Sequence, residues 1–343
     1  MSTIDQVTIT PGPQGWGEEF QSEQDKFLQE RRNLDLVQQR NPALFERREE
    51  RTPNVVTLEK IKKLQEEDGI VDGFFCRHIE KAVFGTYLDW LAQIIGSCVA
   101  SGAIRIVTRR MLIEAFLLND PEALFGTDLI SPLNVSPFAP YSYRAGRKRA
   151  GLNRGDGSYC SVHIEGMLED GILPCSAPGL VSDAYPEPQS ANLYRKWGNS
   201  NSLLEQFKSI AQVYRLLESE KVNSIEQSKL LLGTHYKPQM VCSMWAFKPD
   251  YVHPEWRING EPVWVYTRDR RNSWAHNMSI DAQVKIFTNE EFSIVDNSWG
   301  PRAHKNGSFF AIKADEYNTW ASDSEQMSIG EIDMADNSSP IVP

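Results

Sequence analysis

Three short segments that lie far apart in the chain constrain its fold more than any other feature. They are Gly96-Ser97-Cys98, Trp274-Ala275-His276 and Asn297-Ser298-Trp299-Gly300. A cysteine nucleophile acts as its thiolate, which a neighbouring imidazolium stabilises at neutral pH, and the imidazole needs a third group to fix its tautomer and ring plane. The pattern therefore predicts a fold that brings Cys98, His276 and Asn297 together as nucleophile, base and orienting group.

The residues around Cys98 predict a buried helix that begins at the nucleophile and runs to about Leu118. Gly96 and Ser97 are turn residues and helix-start signals, and the run that follows is apolar on most faces near its start. A cysteine in the first turn of a helix lies at the positive end of the helix dipole, which favours the thiolate. We therefore expect Cys98 to be a thiolate of lowered pKa, paired with His276 and held rigidly at the edge of a cleft.

These flanking residues resemble those of the papain-like cysteine peptidases of the C1 type. In that family a Gly-Ser-Cys turn opens a long buried helix, and an Asn-Ser-Trp-Gly segment, matched here by Asn297 and Trp299, supplies the asparagine and a tryptophan that covers the histidine–asparagine pair. A Gly-rich loop between nucleophile and base also recurs, and Gly155-Asp156-Gly157-Ser158-Tyr159 resembles it. The resemblance implies an α+β, two-lobe fold, in which a helical lobe with the nucleophile helix packs against an antiparallel β-barrel-like lobe.

The resemblance also implies roles for residues outside the triad, with some departures from the family pattern. Trp299 would shield the triad, and Gly157 and Ser158 would bind substrate, although Ser158 stands where a second glycine is usual. The family's oxyanion-binding glutamine lies six residues before the nucleophile, a position that Ala92 holds here. Gln93, five residues before Cys98, is the candidate oxyanion donor.

The function that follows is thiol-dependent hydrolysis of peptide bonds in a peptide or protein substrate, with no metal and no organic cofactor. Two alternatives stay open. One is a structural or assembly protein, for example a bacteriophage virion component, that has kept a papain-like body with weak or no activity. The other is an amidase that acts on cell-wall peptides. An asparagine-oriented imidazole favours catalysis, because a scaffold has no need for one.

Charge and hydropathy exclude some partners. The net charge of −10 over 343 residues argues against a nucleic-acid-binding protein. The basic run from Arg144 to Arg149 is interpreted as a solvated loop, with a docking site for an acidic partner as the alternative.

The longest apolar stretch, around residues 91–107, contains Arg105 and other polar residues, so no membrane span is predicted. The first 20 residues lack the pattern of a signal peptide, so we expect cytoplasmic synthesis, with a virion as an alternative location.

The cysteines indicate reduced thiols. There are five, an odd and scattered set in a chain for which no export signal is predicted. Cys76-Arg77-His78 and Cys160-Ser161-Val162-His163 resemble two halves of a zinc site, but their spacings are not those of common zinc motifs. No metal site is therefore predicted.

Four segments are predicted along the chain. They are a charged helical N-terminal arm (1–69), a helical lobe with the nucleophile (70–195), a β-rich lobe with the histidine and asparagine (196–321) and an acidic C-terminal tail (322–343). Helices are predicted over 160–170 and 196–223, and near Leu58 with Thr57 as its cap. Strands are predicted over 240–247, 263–266, 282–287 and 292–296.

The N-terminal arm has too little apolar material to offset its own ordering entropy. We therefore expect arm and tail to grip a partner in a larger protein assembly; the alternative is that the arm covers the cleft as a pro-segment.

Overall fold

The computed structural model describes residues 56–88, 95–118, 136–153, 156–175, 177, 179–180, 191–299 and 308–334. The helices are α1 (Leu58–Glu67), α2 (Arg77–Phe84), α3 (Cys98–Leu112), α4 (Ala139–Arg149), α5 (Cys160–Glu169), α6 (Ala191–Gly198), α7 (Asn201–Ala211), α8 (Ile225–Gly233) and α9 (Ala314–Ser322). The strands are β1 (Ile70–Phe75), β2 (Tyr214–Leu216), β3 (Ser219–Lys221), β4 (Gln239–Ile258), β5 (Glu261–Ile286), β6 (Glu291–Asp296), β7 (Phe309–Lys313), β8 (Glu325–Ile329) and β9 (Ile332–Met334). Within these ranges, no helix is long and apolar enough to cross a bilayer.

Helix α1 begins at the predicted cap and packs on the body of the protein. The hydroxyl of Thr57 accepts a hydrogen bond from the backbone N–H of Lys60 at 3.1 Å, which satisfies one of the free N–H groups at the helix start. Farther along, the Gln65 amide donates to the carbonyl of Gly73 in β1 at 2.8 Å. These contacts cross residue 69, where the boundary between arm and helical lobe is predicted; residues 1–55 of the arm lie outside the described residues.

The nucleophile helix is buried along its whole length. Helix α3 begins at Cys98 and continues beyond Leu112 as a π-helical turn, Ile113–Leu117. This confirms the helix predicted over 98–118. Ser97 occupies the N-cap position, but its side chain makes no capping hydrogen bond. Apolar residues of α3 such as Ile106 pack against Ile164 of α5 and Met240 of β4, so the helix lies between the other helices and the sheet.

The strands that carry the candidate base and its orienting group belong to one seven-stranded sheet. Its order is β3-β8-β4-β5-β6-β7, with β1 paired to β5. The predicted strands lie within β4, β5 and β6, apart from residue 287, which follows the end of β5. They are longer than predicted, because β4 and β5 stay paired as an antiparallel ribbon through several register shifts, and bulges of this kind let a ribbon bend without ending.

The mixture of helices and a largely antiparallel sheet agrees with the predicted α+β class. Strand β5 also makes one parallel pair with β7, between Val265 and Ala311. The barrel-like closure of the β lobe stays a prediction.

The chain beyond residue 321 differs from the predicted acidic tail. Strand β8 lies in the sheet between β3 and β4, and β9 pairs with β2. Ile329 and Ile332 are buried in the same apolar cluster as α3, and this apolar content is the physical reason that the segment joins the body. Residues 335–343 of the predicted tail lie outside the described residues.

Two further predictions are corrected in the helical half. The helix predicted over 196–223 is divided: α6 extends across the predicted lobe boundary at 195/196, α7 ends at Ala211, and alternating Tyr214 and Leu216 then form a strand. The basic run predicted as a solvated loop lies on α4. Arg144 and Arg147 are buried and donate to the carbonyls of Gly198 at 2.8 Å and Gly157 at 3.0 Å, so they hold neighbouring backbone instead of facing water.

Candidate active site

The structure brings His276 and Asn297 together at adjacent strands. His276 lies in β5 opposite Ser243 of β4, and Asn297 follows β6, where its backbone N–H donates to the carbonyl of Ser308 at 2.8 Å. The Nε2 atom of His276 and the Oδ1 atom of Asn297 are 2.6 Å apart. An amide oxygen accepts and cannot donate, so Nε2 carries the proton and the neutral ring keeps an unprotonated Nδ1.

Trp299 covers this pair. Its ring stacks on the His276 ring with centroids 4.9 Å apart and an interplanar angle of 26°. His276 is 3% exposed and Asn297 is 1% exposed. The bond between them is therefore shielded from water, which makes it stronger and fixes the plane of the imidazole.

Cys98 lies beside the strand that carries His276. It is the first residue of α3 and is 4% exposed, and the backbone N–H of Asn277, the residue after His276, donates to its sulfur. Among the described residues, Nδ1 of His276 has no hydrogen-bond partner. The nucleophile and the base are thus carried by neighbouring segments, but no hydrogen bond joins the Cys98 sulfur to Nδ1 of His276.

Burial keeps both groups neutral. Desolvation, with a smaller contribution from nearby Cys242, raises the pKa of Cys98 to about 12. Desolvation also lowers the pKa of His276 to about 4; the hydrogen bond to Asn297 opposes this shift and the charge of Arg105 adds to it. Burial therefore opposes the predicted thiolate–imidazolium pair, because loss of hydration disfavours the charged form of both groups.

A buried ionic cluster lies next to the candidate site and was not predicted. It consists of Arg77 and Glu80 of α2, Arg105 and Arg109 of α3, Asp281 of β5 and Asp296 of β6, all buried. Arg109 contacts Glu80 at 2.9 Å, Asp296 at 2.7 Å and Asp281. Burial alone would raise the pKa of Asp296, but the neighbouring arginines, Arg105 above all, hold it below its usual range. The cluster therefore joins the nucleophile helix to both strands that lead into the His276–Asn297 pair.

Arg105 connects this cluster directly to the orienting group. Its Nη1 atom donates to the backbone carbonyl of Asn297 at 2.7 Å and lies 3.3 Å from Asp296. The spacing of Arg105 and Arg109, four residues apart in an apolar helix, was the available signal, since such residues lie on one helix face. In the sequence alone, Arg105 argues only against a membrane span.

The remaining predicted site residues are less well defined. Gln93 lies outside the described residues. Gly157 has φ +96°, and its carbonyl accepts from Arg147 at 3.0 Å, while Ser158 is buried. Their role in binding substrate stays a prediction.

One group of side chains in the described part of the chain has donor atoms close enough for a metal ion. The sulfurs of Cys160 and Cys242 and a carboxylate oxygen of Glu325 lie within 4.8 Å of one another. This grouping differs from the two zinc half-sites weighed in the sequence, since His163 instead contacts the Ser142 hydroxyl at 3.3 Å. Both Glu325 oxygens already accept hydrogen bonds from the start of α5.

Comparison with known proteins gives structural neighbours and no sequence relatives. No family model matches the chain, and no curated protein matches it. The fold is similar to that of xylellain, a cysteine protease from Xylella fastidiosa, with 14% identity, a TM-score of 0.49, and coverage of 83% of this chain and 98% of that one. It is also similar to digestive procathepsin L 3 of the Tenebrio molitor larval midgut (11% identity, TM-score 0.44, 89% and 91% covered). A third neighbour is proCathepsin B S9 from Trypanosoma congolense (12% identity, TM-score 0.46, 87% and 97% covered). These structural neighbours are papain-like cysteine proteases.

Proposed function

We propose that the protein is a papain-like cysteine peptidase with Cys98 as nucleophile, His276 as base and Asn297 as the group that orients His276. The observation that carries the proposal is the 2.6 Å hydrogen bond between His276 and Asn297 under the ring of Trp299. It fixes the proton on Nε2 and leaves Nδ1, which has no described partner, to accept a proton. A lone buried histidine in a structural protein has no need of this arrangement.

The neutral state of both groups determines how the reaction begins. In the proposed first step the Cys98 sulfur attacks the carbonyl carbon of the substrate while its proton passes to Nδ1 of His276. The imidazolium then gives that proton to the leaving amine, and a thioester remains on Cys98. Water, deprotonated by His276, attacks the thioester and releases the acid and the Cys98 thiol.

The developing negative charge on the substrate oxygen needs donors. The first N–H groups of α3, including that of Cys98, have no intrahelical partner and supply a donor at the site of attack. Gln93 is the proposed side-chain donor. Loss of one such donor costs about 10²–10³ in kcat.

The test combines labelling and turnover with the full chain. We expect a thiol-reactive epoxide or vinyl sulfone to label Cys98 stoichiometrically, and a fluorogenic protein substrate to be cleaved. Cys98→Ser should abolish both, whereas His276→Ala should lower kcat by roughly 10²–10⁴, the usual contribution of a general base. Cys175→Ser is the matched control, because Cys175 is also buried and lies in a different apolar cluster.

One observation favours the alternative of an assembly protein with a papain-like body. Cys98 is only 4% exposed and its pKa is raised to about 12, which suits a thiol that no longer reacts. If Cys98 stays unlabelled in a folded protein and no substrate is cleaved, this alternative replaces the peptidase. Cleavage by the Cys98→Ser variant at the rate of the unmodified protein would also overturn the assignment.

A further inference from the structure

A pair of thiols joins the helical part of the protein to the sheet close to the candidate site. Cys160 is the first residue of α5, and Cys242 lies in β4 opposite Asn277. Their sulfur atoms are 2.6 Å apart. We propose that Cys160 and Cys242 are a covalent modification site that closes to a disulfide when the protein meets hydrogen peroxide or a small-molecule disulfide.

The surroundings hold both sulfurs in position. The side-chain N–H₂ of Asn277 donates to the sulfur of Cys160 at 3.1 Å, to the sulfur of Cys242 at 3.5 Å and to the carbonyl of Val241 at 3.1 Å. On the other side of Asn277, a Cβ atom at Gly102 of α3 would overlap Oδ1 of Asn277, so the amide has no room to withdraw. A donor fixed between two sulfurs limits the motions that would separate them.

The start of α5 is fixed as well. The two carboxylate oxygens of Glu325 accept from the backbone N–H groups of Cys160 at 3.1 Å and Ser161 at 3.2 Å. A carboxylate at a helix N-terminus is favoured by the free N–H groups and by the helix dipole. Glu325 of β8 therefore ties the first turn of α5 to the sheet, and Cys160 with it.

The chemistry of the closure balances without a metal. Cys242 is 6% exposed and Cys160 is 0% exposed, so Cys242 is the less deeply buried of the two and is proposed to react first. The Cys242 sulfur attacks one oxygen of peroxide, which gives a sulfenic acid and one water. The Cys160 sulfur then displaces the hydroxyl group, which leaves as a second water with the Cys160 proton. The two thiols lose two electrons in all, and peroxide takes them up.

The alternative occupant of this site is a soft metal ion held by Cys160, Cys242 and Glu325. Two thiolates on one tetrahedral zinc ion are about 3.7 Å apart, given Zn–S bonds of about 2.3 Å. The separation seen here is 2.6 Å, and a disulfide bond is about 2.05 Å. The sulfurs are therefore placed closer to bonding each other than to sharing a metal.

The pair also bears on Cys98, whose pKa is raised in part by nearby Cys242. A disulfide between Cys160 and Cys242 removes Cys242 as a partner for Cys98 and leaves Cys98 as a free thiol. This inference does not depend on the proposed peptidase activity, because it concerns thiols that take no part in the proposed reaction.

The test uses the full chain, reduced, freed of reductant and then treated with hydrogen peroxide or oxidised glutathione. We expect the intact mass to fall by two hydrogens, and a non-reducing peptide map to show the peptide of Cys160 linked to that of Cys242. Alkylation after unfolding should then modify three of the five cysteines. Cys160→Ser and Cys242→Ser should each abolish the linked peptide, and Cys175→Ser, as the matched control, should retain it.

Three results would overturn the proposal. One is a peptide in which Cys242 is linked to Cys98. Another is full alkylation of all five cysteines after the oxidant has acted. The third is protection of Cys160 and Cys242 by one equivalent of zinc in the purified protein, which would assign the site to a metal.

Discussion

Arg105 connects the nucleophile helix to the group that orients the histidine. It lies on α3, seven residues after Cys98, and its guanidinium donates to the carbonyl of Asn297 at 2.7 Å. Its charge also helps to lower the pKa of His276, after the larger effect of burial. Arg105 contacts the backbone of Asn297, the residue that positions the base, so it is a positioning residue for the proposed reaction.

Replacing Arg105 should change the titration of His276 and slow the reaction. In Arg105→Met we expect kcat to fall by about 10²-fold, because small misplacements of catalytic groups have effects of this size, while KM changes little. The acid limb of the pH–rate profile should move to higher pH, since a positive charge near His276 is lost. Kinetics across pH and the NMR titration of His276 measure the two effects separately.

Two lysine variants provide the controls for this prediction. Arg105→Lys keeps the charge and should restore the acid limb even if kcat stays reduced. Arg109→Lys disturbs the same buried cluster but does not replace the group that contacts Asn297, so it should lower stability without moving the His276 titration. A His276 pKa that is the same in Arg105→Met as in the unmodified protein would contradict the proposed coupling.

Some residues of the candidate site can be recognised from their neighbours in sequence, and others depend on contacts with residues far away in the chain. Cys98, His276, Asn297 and Trp299 were singled out because each has informative neighbours in sequence. The spacing of Arg105 and Arg109 shows that the two share a helix face, but it does not show what they contact, because Asn297, the partner of Arg105, is 192 residues away. The thiolate at Cys98 stays a prediction, and burial opposes it by raising the pKa of the thiol. The position at the start of a helix is a local feature, whereas desolvation depends on everything that packs around the thiol.

Gly102 sets how closely α3 approaches β5. A Cβ atom there would overlap Oδ1 of Asn277, and Asn277 directly follows His276 and donates a backbone hydrogen bond to Cys98. The contact therefore brings the nucleophile helix to the strand of the base. A glycine at this position serves close packing and not a turn.

Gly102→Ala should destabilise the protein although alanine is the better helix former. We expect a loss of about 1–3 kcal/mol in the free energy of unfolding, because the added methyl group overpacks the interface between α3 and β5. Urea unfolding measures it, and turnover should fall as His276 moves. The matched control is Gly233→Ala in α8, where the added Cβ atom meets nothing within 4 Å and stability should be unchanged or higher. Equal stability of Gly102→Ala and the unmodified protein would show that the interface can relax.

The sequence predicts where helices with a local start signal begin, and it predicts parts of three strands, but it does not predict the full extent of those strands. Thr57 predicts the start of α1, and the turn at Gly96-Ser97 predicts the start of α3, because caps and turns act over a few residues. The full lengths of β4 and β5 depend on pairing between segments, and so does the incorporation of β8 beyond residue 321. Glu325 shows the difference clearly: in sequence it marks an acidic tail, while in the fold it accepts hydrogen bonds from the start of α5.

Across the whole molecule, several titratable groups are buried in their neutral form. Burial lowers the pKa of His163 to about 3 and that of His276 to about 4. Since an unfolded histidine has a pKa of about 6.5, the unfolded chain binds more protons than the folded one below that pH. The histidine contribution to stability is therefore complete above pH 6.5 and is lost as the pH falls towards the folded-state values.

A single variant isolates this contribution. Burial raises the pKa of Asp281, which acts in the opposite direction, so the histidine effect is best read as a difference between proteins. We expect His163→Gln to gain about 2 kcal/mol relative to the unmodified protein when both are compared at pH 5 instead of pH 7.5. Urea unfolding at the two pH values measures this. A difference between the two proteins that does not change with pH would mean that His163 has the same pKa in the folded and the unfolded chain.

The ionic cluster around α3 also affects the order in which the chain can fold while it is being synthesised. Glu80 is made before Arg109, but the other two partners, Asp281 and Asp296, follow Arg109 172 and 187 residues later. At about 5–20 residues per second, this delay is on the order of ten to forty seconds. Until β5 and β6 have emerged, Glu80 is the one carboxylate of this cluster available to Arg77, Arg105 and Arg109. Burying arginines without enough counter-charge costs several kcal/mol, so we expect α3 to stay in contact with water until then. Throughout that interval the thiol of Cys98 is hydrated and has an ordinary pKa of about 8.5, and the nascent chain is therefore more open to chemical attack at Cys98 than the finished protein.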